Sequence, residues 1–396
     1  MEGQVMESLP LEVLAKILSF LEGPDIARAS QACRSFYEAS RIEKVWRTRC
    51  DKEFSVKSKS INNLSFRDVY SKLLHKYRFF LGLWQPQVSS YGGLFQVTFD
   101  SLSASIVGRE LLPPRDPYIT DPLRKKVLFS VTLDQRGRAQ VTCVSGYSGP
   151  HAAVLHEISK DEFAFKCCDT DCHKHPNGKH QELRDWLHEE ASVSLDMQQF
   201  PQSHELLLMK FLILRQYDYS FQYQRVHLQP PLPNVPLQPG IFKGTYGTHG
   251  LELIQLEYVD HVTKLRASKL SGDPNVPSGQ VTFEVVLQYW MTLTAEQQVS
   301  IEDLDSIEVV AADENMPNPC RPQPFYVPMD CHLRFQEIPR TCLARYHGLG
   351  QVAGHGFTNP SFSRGHWIVF NENLFGFLWL ELLSLSVYHR VTESLG

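Results

Sequence analysis

The densest group of metal-binding side chains lies between residues 167 and 175, where Cys167, Cys168 and Cys172 are followed by His173 and His175. Zinc in proteins prefers four cysteine or histidine ligands in a tetrahedron, and a structural zinc site has no open position. The spacing here is irregular and matches no common zinc finger. The residues alone therefore leave two interpretations open, a zinc site or a chance cluster of free thiols.

Polar and aromatic side chains also collect on glycine- and proline-rich turns in the C-terminal half. They are Thr245, Tyr246 and His249 on one turn, Asp273 and Asn275 on a second, and His355 and Phe357 on a third. Such turns are explained equally well as corners of a barrel, since glycine permits tight turns and Asp and Asn bond their own backbone. The functional alternative is a pocket at a barrel mouth, where a few polar groups orient a ligand.

The chain carries no catalytic motif that we recognise. A nucleophile elbow, a phosphate-binding loop, an HExxH pair and a GxGxxG fingerprint are all missing, as is a RING or HECT-like cysteine pattern. A redox role for Cys167 and Cys168 lacks the C-x-x-C spacing. A zinc hydrolase at the cysteine–histidine cluster would need an open ligand position, which a four-ligand site excludes. We expect a binding protein rather than an enzyme.

The N-terminal stretch from Glu7 to Cys50 has the pattern of three short helices. Leu9-Pro10 opens the first helix, because proline is tolerated in a first turn. Its apolar residues form more than one stripe, so one face folds inward and another needs a partner. We expect the third helix to end near Trp46. Three such helices bury too little surface to be stable alone, which favours a docking module over an ordinary helical subdomain.

The spacing of this stretch resembles the F-box. The residues that carry the resemblance are Leu9-Pro10, Ile17-Leu18, Leu21, Ala32-Cys33, Phe36 and Trp46. F-box proteins bind Skp1 and so tether a substrate domain to a cullin-1–RING ubiquitin ligase, an SCF complex. The resemblance implies that the contacts to Skp1 come from Leu9, Pro10, Leu14, Ile17, Leu18, Leu21 and Trp46.

Segments beyond the F-box resemble one group of substrate receptors within that family. They include residues 81–86, 91–94, 242–247, 249–252, 272–275, 353–358 and 375–381. The resemblance implies a structural zinc held by Cys143, His151, Cys167 and His173. It also implies that the protein binds the extreme C-termini of substrates, including cyclin D1 and chains that end in an amide.

The chemistry of the turn residues suits such a ligand. Thr245 and Asn275 offer neutral donors and acceptors, and the carboxylate of Asp273 can accept from a terminal amide. Tyr246, His249, His355, Phe357 and Phe377 complete the candidate substrate-binding set. A lipocalin-like barrel that binds a small apolar ligand is the alternative.

The remaining pattern predicts an α+β protein. Residues 66–83 read as one linking helix, which residues 84–86 end, and short alternating runs separated by turns then predict an antiparallel β-barrel. Helical insertions are expected at residues 180–190 and 204–214, and an exposed acidic linker at about 295–323. The predicted domains are an F-box at residues 1–52, linking helices at 53–86, and a barrel at 87–396.

Composition limits the partners. The net charge of −5 and the pI near 6.3 make nucleic acid an unlikely partner. No signal peptide is visible, and the longest apolar run, residues 206–214, is about half of what spans a bilayer. The nine cysteines, an odd number, favour free thiols or metal ligands over disulfides. We expect a cytoplasmic protein without a membrane partner, with the nucleus and the centrosome as further locations.

Overall fold

The structure is a computed structural model that describes most of the chain. The described residues are 9–62, 64–88, 90–114, 118–191, 203–214, 220–246, 249–308, 322–333 and 337–395; within them, the side chains of residues 191 and 203–206 are left aside.

The N-terminal module contains four helices where the sequence predicted three. They are α1 (Leu11–Leu18), α2 (Gly23–Ala29), α3 (Arg34–Ser40) and α4 (Glu43–Phe54). Helix α4 continues through Trp46 instead of ending there. The indole Nε1 of Trp46 donates to the Ser40 carbonyl at the end of α3 at 2.6 Å, and the ring packs in the module core. The left-handed residue Ser55, with φ 55°, ends the helix.

A composite helix, α5, links this module to the sheets. It runs as α-helix over Phe66–Asp68, π-helix over Val69–Leu74, α-helix over His75–Tyr77 and 3-10 helix over Arg78–Phe80. The prediction that this helix continues to residue 83 is wrong, and so is the domain boundary at residue 86. Gly82–Pro86 is already the first β-strand, because Trp84 is fully buried among the aromatic side chains of the barrel.

The first eight strands form a closed antiparallel barrel. They are β1 (Gly82–Pro86), β2 (Leu94–Asp100), β3 (Ser105–Leu112), β4 (Arg124–Leu133), β5 (Ala139–Cys143), β6 (His151–Ser159), β7 (Glu162–Cys167) and β8 (Ser220–Arg225). Strand β8 pairs with β1 and closes the ring. Stacked rings fill the interior, among them Phe163 on Tyr223 and Phe129 on Phe165. The interior is therefore hydrophobic core.

A second barrel follows. Its strands are β9 (Gly240–Thr245), β10 (Leu251–Val259), β11 (Lys264–Lys269), β12 (Val281–Trp290), β16 (Ala344–Gly354), β17 (Thr358–Asn371), β18 (Leu374–Trp379) and β19 (Ser384–Arg390). Pairing of β19 with β9 closes the ring. The short β14 (His332–Leu333) adds to β19 in parallel, and β13 (Gln323–Pro324) pairs with β15 (Thr341–Cys342).

The predicted α+β class with antiparallel barrel architecture is confirmed, but the strands divide into two barrels and not one. The division follows the proline-rich connector at residues 230–239, where prolines lack the N–H that a ladder needs. Eight apolar side chains join the barrels: Leu83, Leu94, Leu111 and Leu123 from the first, and Ile241, Leu253, Leu270 and Val391 from the second region.

Two helices, α6 (Gly178–Ala191) and α7 (Ser203–Leu214), are inserted between β7 and β8, close to the predicted positions. The predicted acidic linker is exposed at residues 295–297 but not throughout: α8 (Ile301–Asp305) buries Ile301 and Leu304 against the outer face of the second barrel. The rest of that segment, residues 309–321, lies outside the described residues. None of the described helices has the length and apolar character required to cross a membrane.

Candidate metal centre and substrate pocket

Three neighbouring strands bring the predicted zinc ligands together. Cys143 ends β5 and pairs with His151, which begins β6. Cys167 ends β7, and His173 follows in a short 3-10 helix, Thr170–His173. Because these strand ends share one rim of the first barrel, residues up to thirty positions apart in sequence meet at one point. The ligand atoms of all four residues lie within 4.8 Å of one another.

The distances within this cluster fit a small shared cation. His151 Nε2 lies 2.9 Å from Cys167 Sγ and 3.0 Å from His173 Nε2. Cys143 Sγ and Cys167 Sγ lie 3.4 and 3.5 Å from His173 Nε2. Ligand bonds of zinc imply tetrahedral edges of about 3.3 to 3.8 Å, so the described arrangement is close to a closed four-ligand site.

The surroundings of the cluster also suit a metal. His151 Nδ1 lies 3.0 Å from the Gly149 carbonyl, so a proton on Nδ1 leaves Nε2 free to act as a ligand. Burial raises the pKa of Cys143 to about 12, and burial also raises the pKa of Cys167. Without a cation both thiols stay protonated at neutral pH, whereas a bound cation displaces their protons.

The other nearby cysteines and histidine are placed differently. Cys168 is exposed. His175 Nε2 lies 3.2 Å from Asp185, and its ring meets Tyr147 edge-on at 4.5 Å. The carbonyl of Cys172 accepts from the backbone N–H groups of residues 147 and 148, so this residue is bound to the loop between β5 and β6. Among the described residues, the four-residue set is therefore the one that can hold a metal.

The N-terminal module presents an apolar surface. Of the predicted Skp1 contacts, Leu9, Pro10, Ile17 and Leu21 are partly or fully exposed. Leu14, Leu18 and Trp46 are not: each is at most 5% exposed and packs in the module core. The prediction that these three side chains contact Skp1 directly is therefore corrected. They are part of the module core, which holds the exposed residues in place.

Sequence reasoning left three exposed residues out of this surface. Leu11, Val13 and Phe20 have 36%, 42% and 68% of their area exposed, which is unusual for apolar side chains so close together. The signal was present in the sequence, since the apolar residues of this stretch form more than one stripe: Leu11 begins the first stripe, and Val13 and Phe20 lie beside it.

A cavity of about 270 Å³ lies where the two barrels meet. Its lining consists of Ser90, Met209, Ile213, Pro274, Pro277, His355, Gly356 and Phe357. Two predicted substrate-binding residues, His355 and Phe357, therefore face this cavity, and the proline between Asp273 and Asn275 does as well. The backbone N–H of Phe357 donates to the Pro274 carbonyl at 3.1 Å, and Asn275 Nδ2 donates to the Ala353 carbonyl at 2.9 Å. These bonds join the two loops that form the cavity.

A buried ion cluster supports the loop at Asp273. Lys269 Nζ lies 2.5 Å from Asp273 Oδ2 and 2.7 Å from Glu252 Oε2, and all three residues are almost fully buried. Asp273 Oδ1 accepts from the backbone N–H groups of Asn275 and Val276. The pKa of Asp273 is lowered, since Lys269 and these bonds outweigh burial, whereas burial raises the pKa of Glu252 to about 8.

His249 lies near this cluster, 3.9 Å from Asp273 Oδ1, and burial lowers its pKa. Tyr246 donates or accepts a hydrogen bond at Thr282 Oγ1, 2.9 Å away, and its ring lies under the Lys269 ammonium at 4.1 Å. Sequence reasoning found Asp273 but missed Lys269, which is only four residues away, and Glu252, which the pairing of β10 with β11 brings next to Lys269.

Two predicted substrate contacts are occupied within the fold. Thr245 is 4% exposed, and its hydroxyl accepts from the Val387 N–H at 3.0 Å. Phe377 has no exposed area and stacks on Phe283 with ring centroids 4.5 Å apart. The prediction that they contact a substrate directly is corrected, because both belong to the interior of the second barrel. The cavity is lined instead by residues that include Ser90, Met209 and Ile213, which were not predicted from the sequence.

Comparisons with known proteins find matches for both the N-terminal module and the second barrel. Residues 6–52 match the family described as F-box-like, and residues 223–394 match the family described as Cyclin D1 binding domain. F-box only protein 31 of Homo sapiens is 37% identical over 447 residues, covering 97% of this chain and 82% of the relative. The protein of the same name from Mus musculus is 38% identical over 429 residues, covering 97% and 84%.

F-box only protein 31-B of Xenopus laevis is 35% identical over 440 residues, covering 97% of this chain and 83% of the relative. The likeness extends through the helical module, the linking helix and both barrels, and the predicted resemblance is confirmed. The chain belongs to the F-box only protein 31 family.

Proposed function

We propose that this protein is the substrate-recognition subunit of an SCF ubiquitin ligase and binds the C-termini of protein substrates. The main support for the proposal is that one chain contains two separate candidate binding surfaces. An exposed apolar helix face lies in the F-box-like segment, and a cavity between loops lies largely within the segment that matches a cyclin D1 binding domain.

Such a receptor needs no chemistry of its own. It binds Skp1 through the helical module and holds a substrate near a ubiquitin-conjugating enzyme, so that transfer depends on proximity. The packing of the linking helix on both sides supports this role: Tyr70 of α5 packs against Trp46 of α4 with ring centroids 5.2 Å apart, and Leu73 of α5 belongs to the core of the first barrel.

A pull-down with purified Skp1 tests the first half of the proposal. Wild-type protein should retain Skp1, and Leu9→Ala/Pro10→Ala should lose it because both side chains lie at the exposed start of the first helix. Leu102→Ala, on a hairpin tip of the first barrel where the leucine is 90% exposed, is the matched control and should bind normally. Failure of the wild type to bind Skp1 would refute the adaptor role.

We further propose that Cys143, His151, Cys167 and His173 hold a structural zinc ion. The donor set of two thiols and two imidazoles, with all four ligand atoms within 4.8 Å, supports this choice. The ion would tie the ends of β5, β6 and β7 to the loop that precedes α6. With four protein ligands, it would serve the fold and not catalysis.

Metal analysis of the purified protein should find one zinc per chain. Cys143→Ser should lose the metal and unfold at a lower urea concentration, because structural zinc contributes directly to folding. Cys168→Ser is the matched control, since this neighbouring thiol is exposed and outside the cluster. Absence of stoichiometric zinc in the wild type, or normal stability of the Cys143 variant, would exclude the site.

The proposed ligands are substrate C-termini, including cyclin D1-like tails and chains that end in an amide. Asp273 lies next to Pro274 of the cavity wall. Its carboxylate is held by Lys269 and by the backbone N–H groups of Asn275 and Val276, and in this proposal its negative charge favours a neutral terminal amide over a terminal carboxylate. We expect Asp273→Asn to change the ratio of the affinities for two peptides that differ only in a terminal amide or acid. Fluorescence anisotropy measures both affinities.

Asp260→Asn is the control for this ratio, because Asp260 is exposed at the turn between β10 and β11 and pairs with Lys264. It should leave both affinities unchanged. An identical amide-to-acid ratio in wild type and Asp273→Asn would contradict the proposed role of Asp273.

A further inference from the structure

Helix α7 has an apolar character that the proposed function does not yet explain. Of its described side chains, residues 207–214, only Lys210 is charged, and the others are leucine, methionine, phenylalanine or isoleucine. A helix that is apolar on all sides needs more than one partner surface. The structure shows the surroundings of two faces of α7.

The first face packs against α6. Phe211 is 3% exposed, and its ring centroid lies 5.6 Å from that of Trp186. Leu207 and Leu214 join the same cluster. These positions are spaced by four and three residues, which places them on one side of the helix. This face is satisfied within the described structure.

The second face is turned to the cavity. Met209 and Ile213, also four residues apart, line the cavity opposite Pro274, Pro277 and Phe357. Met209 keeps 38% of its area exposed, and Ile213 is half-buried. Both residues lie outside residues 223–394, the segment that matches the cyclin D1 binding domain. An insertion of the first barrel thus completes a cavity of the second.

The size of the cavity limits its occupant. Pockets that enclose a drug-sized ligand measure roughly 300 to 1,000 Å³, so a cavity of about 270 Å³ has room for one side chain and the backbone next to it. The lining is mostly apolar, with aliphatic and proline carbons from three directions. It therefore suits an aliphatic side chain.

The charges at the mouth indicate where on a substrate that side chain lies. Lys210, next to Met209, extends over the ring of Tyr91 at 5.8 Å. Lys210, Lys269 and His355 all lie within electrostatic reach of His249, so these groups share one region. The buried Asp273 is neutralised by Lys269. Lys210 is not part of this ion cluster and can donate a hydrogen bond to the terminal carbonyl oxygen, which C-terminal acids and C-terminal amides share.

We propose that α7 is the specificity wall of the substrate pocket, where Met209 and Ile213 set the size of the aliphatic side chain accepted at the substrate's C-terminus. This inference rests on the proposed function, because it assumes that C-termini enter the cavity. It assigns side-chain selection to residues of the first barrel's insertion, and terminal-group recognition to the loops of the second barrel.

The test uses the full chain in complex with Skp1 and labelled peptides with the C-terminal segment of cyclin D1. Versions of the peptide differ only in the last residue, which is leucine, alanine or tryptophan. Ile213→Trp fills the cavity and should weaken binding of the leucine peptide about tenfold, in the range expected for a misfit in an apolar pocket. The alanine peptide should lose less, so the preference shifts toward small residues.

Leu212→Trp is the matched control, because Leu212 lies on the same helix, is 51% exposed and does not line the cavity. It should bind like the wild type. Met209→Ala is a second variant that removes bulk from a partly exposed position without a risk to folding. It should improve binding of the tryptophan peptide relative to the leucine peptide.

The outcomes separate the inference from the function on which it rests. Equal peptide preferences in wild type, Ile213→Trp and Met209→Ala would overturn the role of α7 while leaving C-terminal recognition intact. Lack of binding of every peptide by the wild type would overturn both. A shift in preference in the Ile213 and Met209 variants, absent from Leu212→Trp, supports the specificity wall.

Discussion

Arg345 shows how single residues of the second barrel depend on buried polar contacts. Its guanidinium is fully buried and donates to Gln298 Oε1 at 3.0 Å and to His366 Nδ1 at 2.9 Å. Burial lowers the pKa of Arg345 to about 10. The positive charge of Arg345 also acts on His347. Burial lowers the pKa of His347 to about 4, and the charges of Arg345 and Arg364 contribute, because all three disfavour the protonated ring.

This arrangement predicts a loss of stability in mild acid. Below pH 6.5 the unfolded chain protonates His347 while the folded chain does not until about pH 4, so the free energy of unfolding falls as the pH falls through this window. His347→Gln should reduce the pH dependence, which urea unfolding at several pH values between 7 and 4 measures.

His156→Gln is the control, since His156 is exposed on β6. It should retain the pH dependence of the wild type. A slope for His347→Gln that matches the wild-type slope would show that His347 is not kept neutral by its surroundings.

At the scale of elements, closure of the second barrel depends on a glycine. Gly244 of β9 pairs with Tyr388 of β19, one of three residue pairs that close the ring. A Cβ at Gly244 would overlap carbons of the Tyr388 ring. That ring is stacked on Phe375 at 4.6 Å between centroids and has no exposed area, so it cannot move aside easily.

Gly244→Ala should therefore lower the free energy of unfolding by about 1 to 3 kcal/mol, as overpacking in a core does. Urea unfolding measures the change. Gly250→Ala is the comparison, because a Cβ there meets no atom within 4 Å and only the positive φ of 85° opposes it. If Gly244→Ala costs no more than Gly250→Ala, packing on Tyr388 does not control barrel closure.

For the whole molecule, the contact between the barrels makes one unit of the substrate-binding half. Leu94 and Leu253 are fully buried in the shared apolar cluster. Gln85 Nε2 donates to the Leu270 carbonyl at 2.9 Å, and the Ser278 N–H donates to the Ser90 carbonyl at 2.9 Å. Because these contacts hold both sides of the cavity, its shape depends on the joint between the barrels.

Leu253→Ala should lower the free energy of unfolding by about 2 to 5 kcal/mol, since it leaves a cavity in this joint. Hydrogen exchange should become faster in strands of both barrels. Leu102→Ala, at an exposed hairpin tip, should change neither. Faster exchange confined to the second barrel would mean that the barrels are stable independently.

Much of the fold and part of the candidate site could be predicted from local pattern. Periodicity over residues 180–190 and 204–214 located both inserted helices, and alternation located most strands of both barrels. The cysteine–histidine quartet came from resemblance to a family, and the structure brings its ligand atoms together. His355 and Phe357 were also predicted, because turn residues are recognisable over a few positions.

What depends on distant pairing could not be predicted in this way. Strand β8 closes on β1 across more than a hundred residues, which divides the strands into two barrels. The same long-range packing buries Thr245 and Phe377 and brings Ile213 of α7 to the cavity. The sequence by itself determined the types of element and the chemistry of the turns. Only the tertiary structure decided which surfaces meet, because burial and partner choice are properties of non-local contacts.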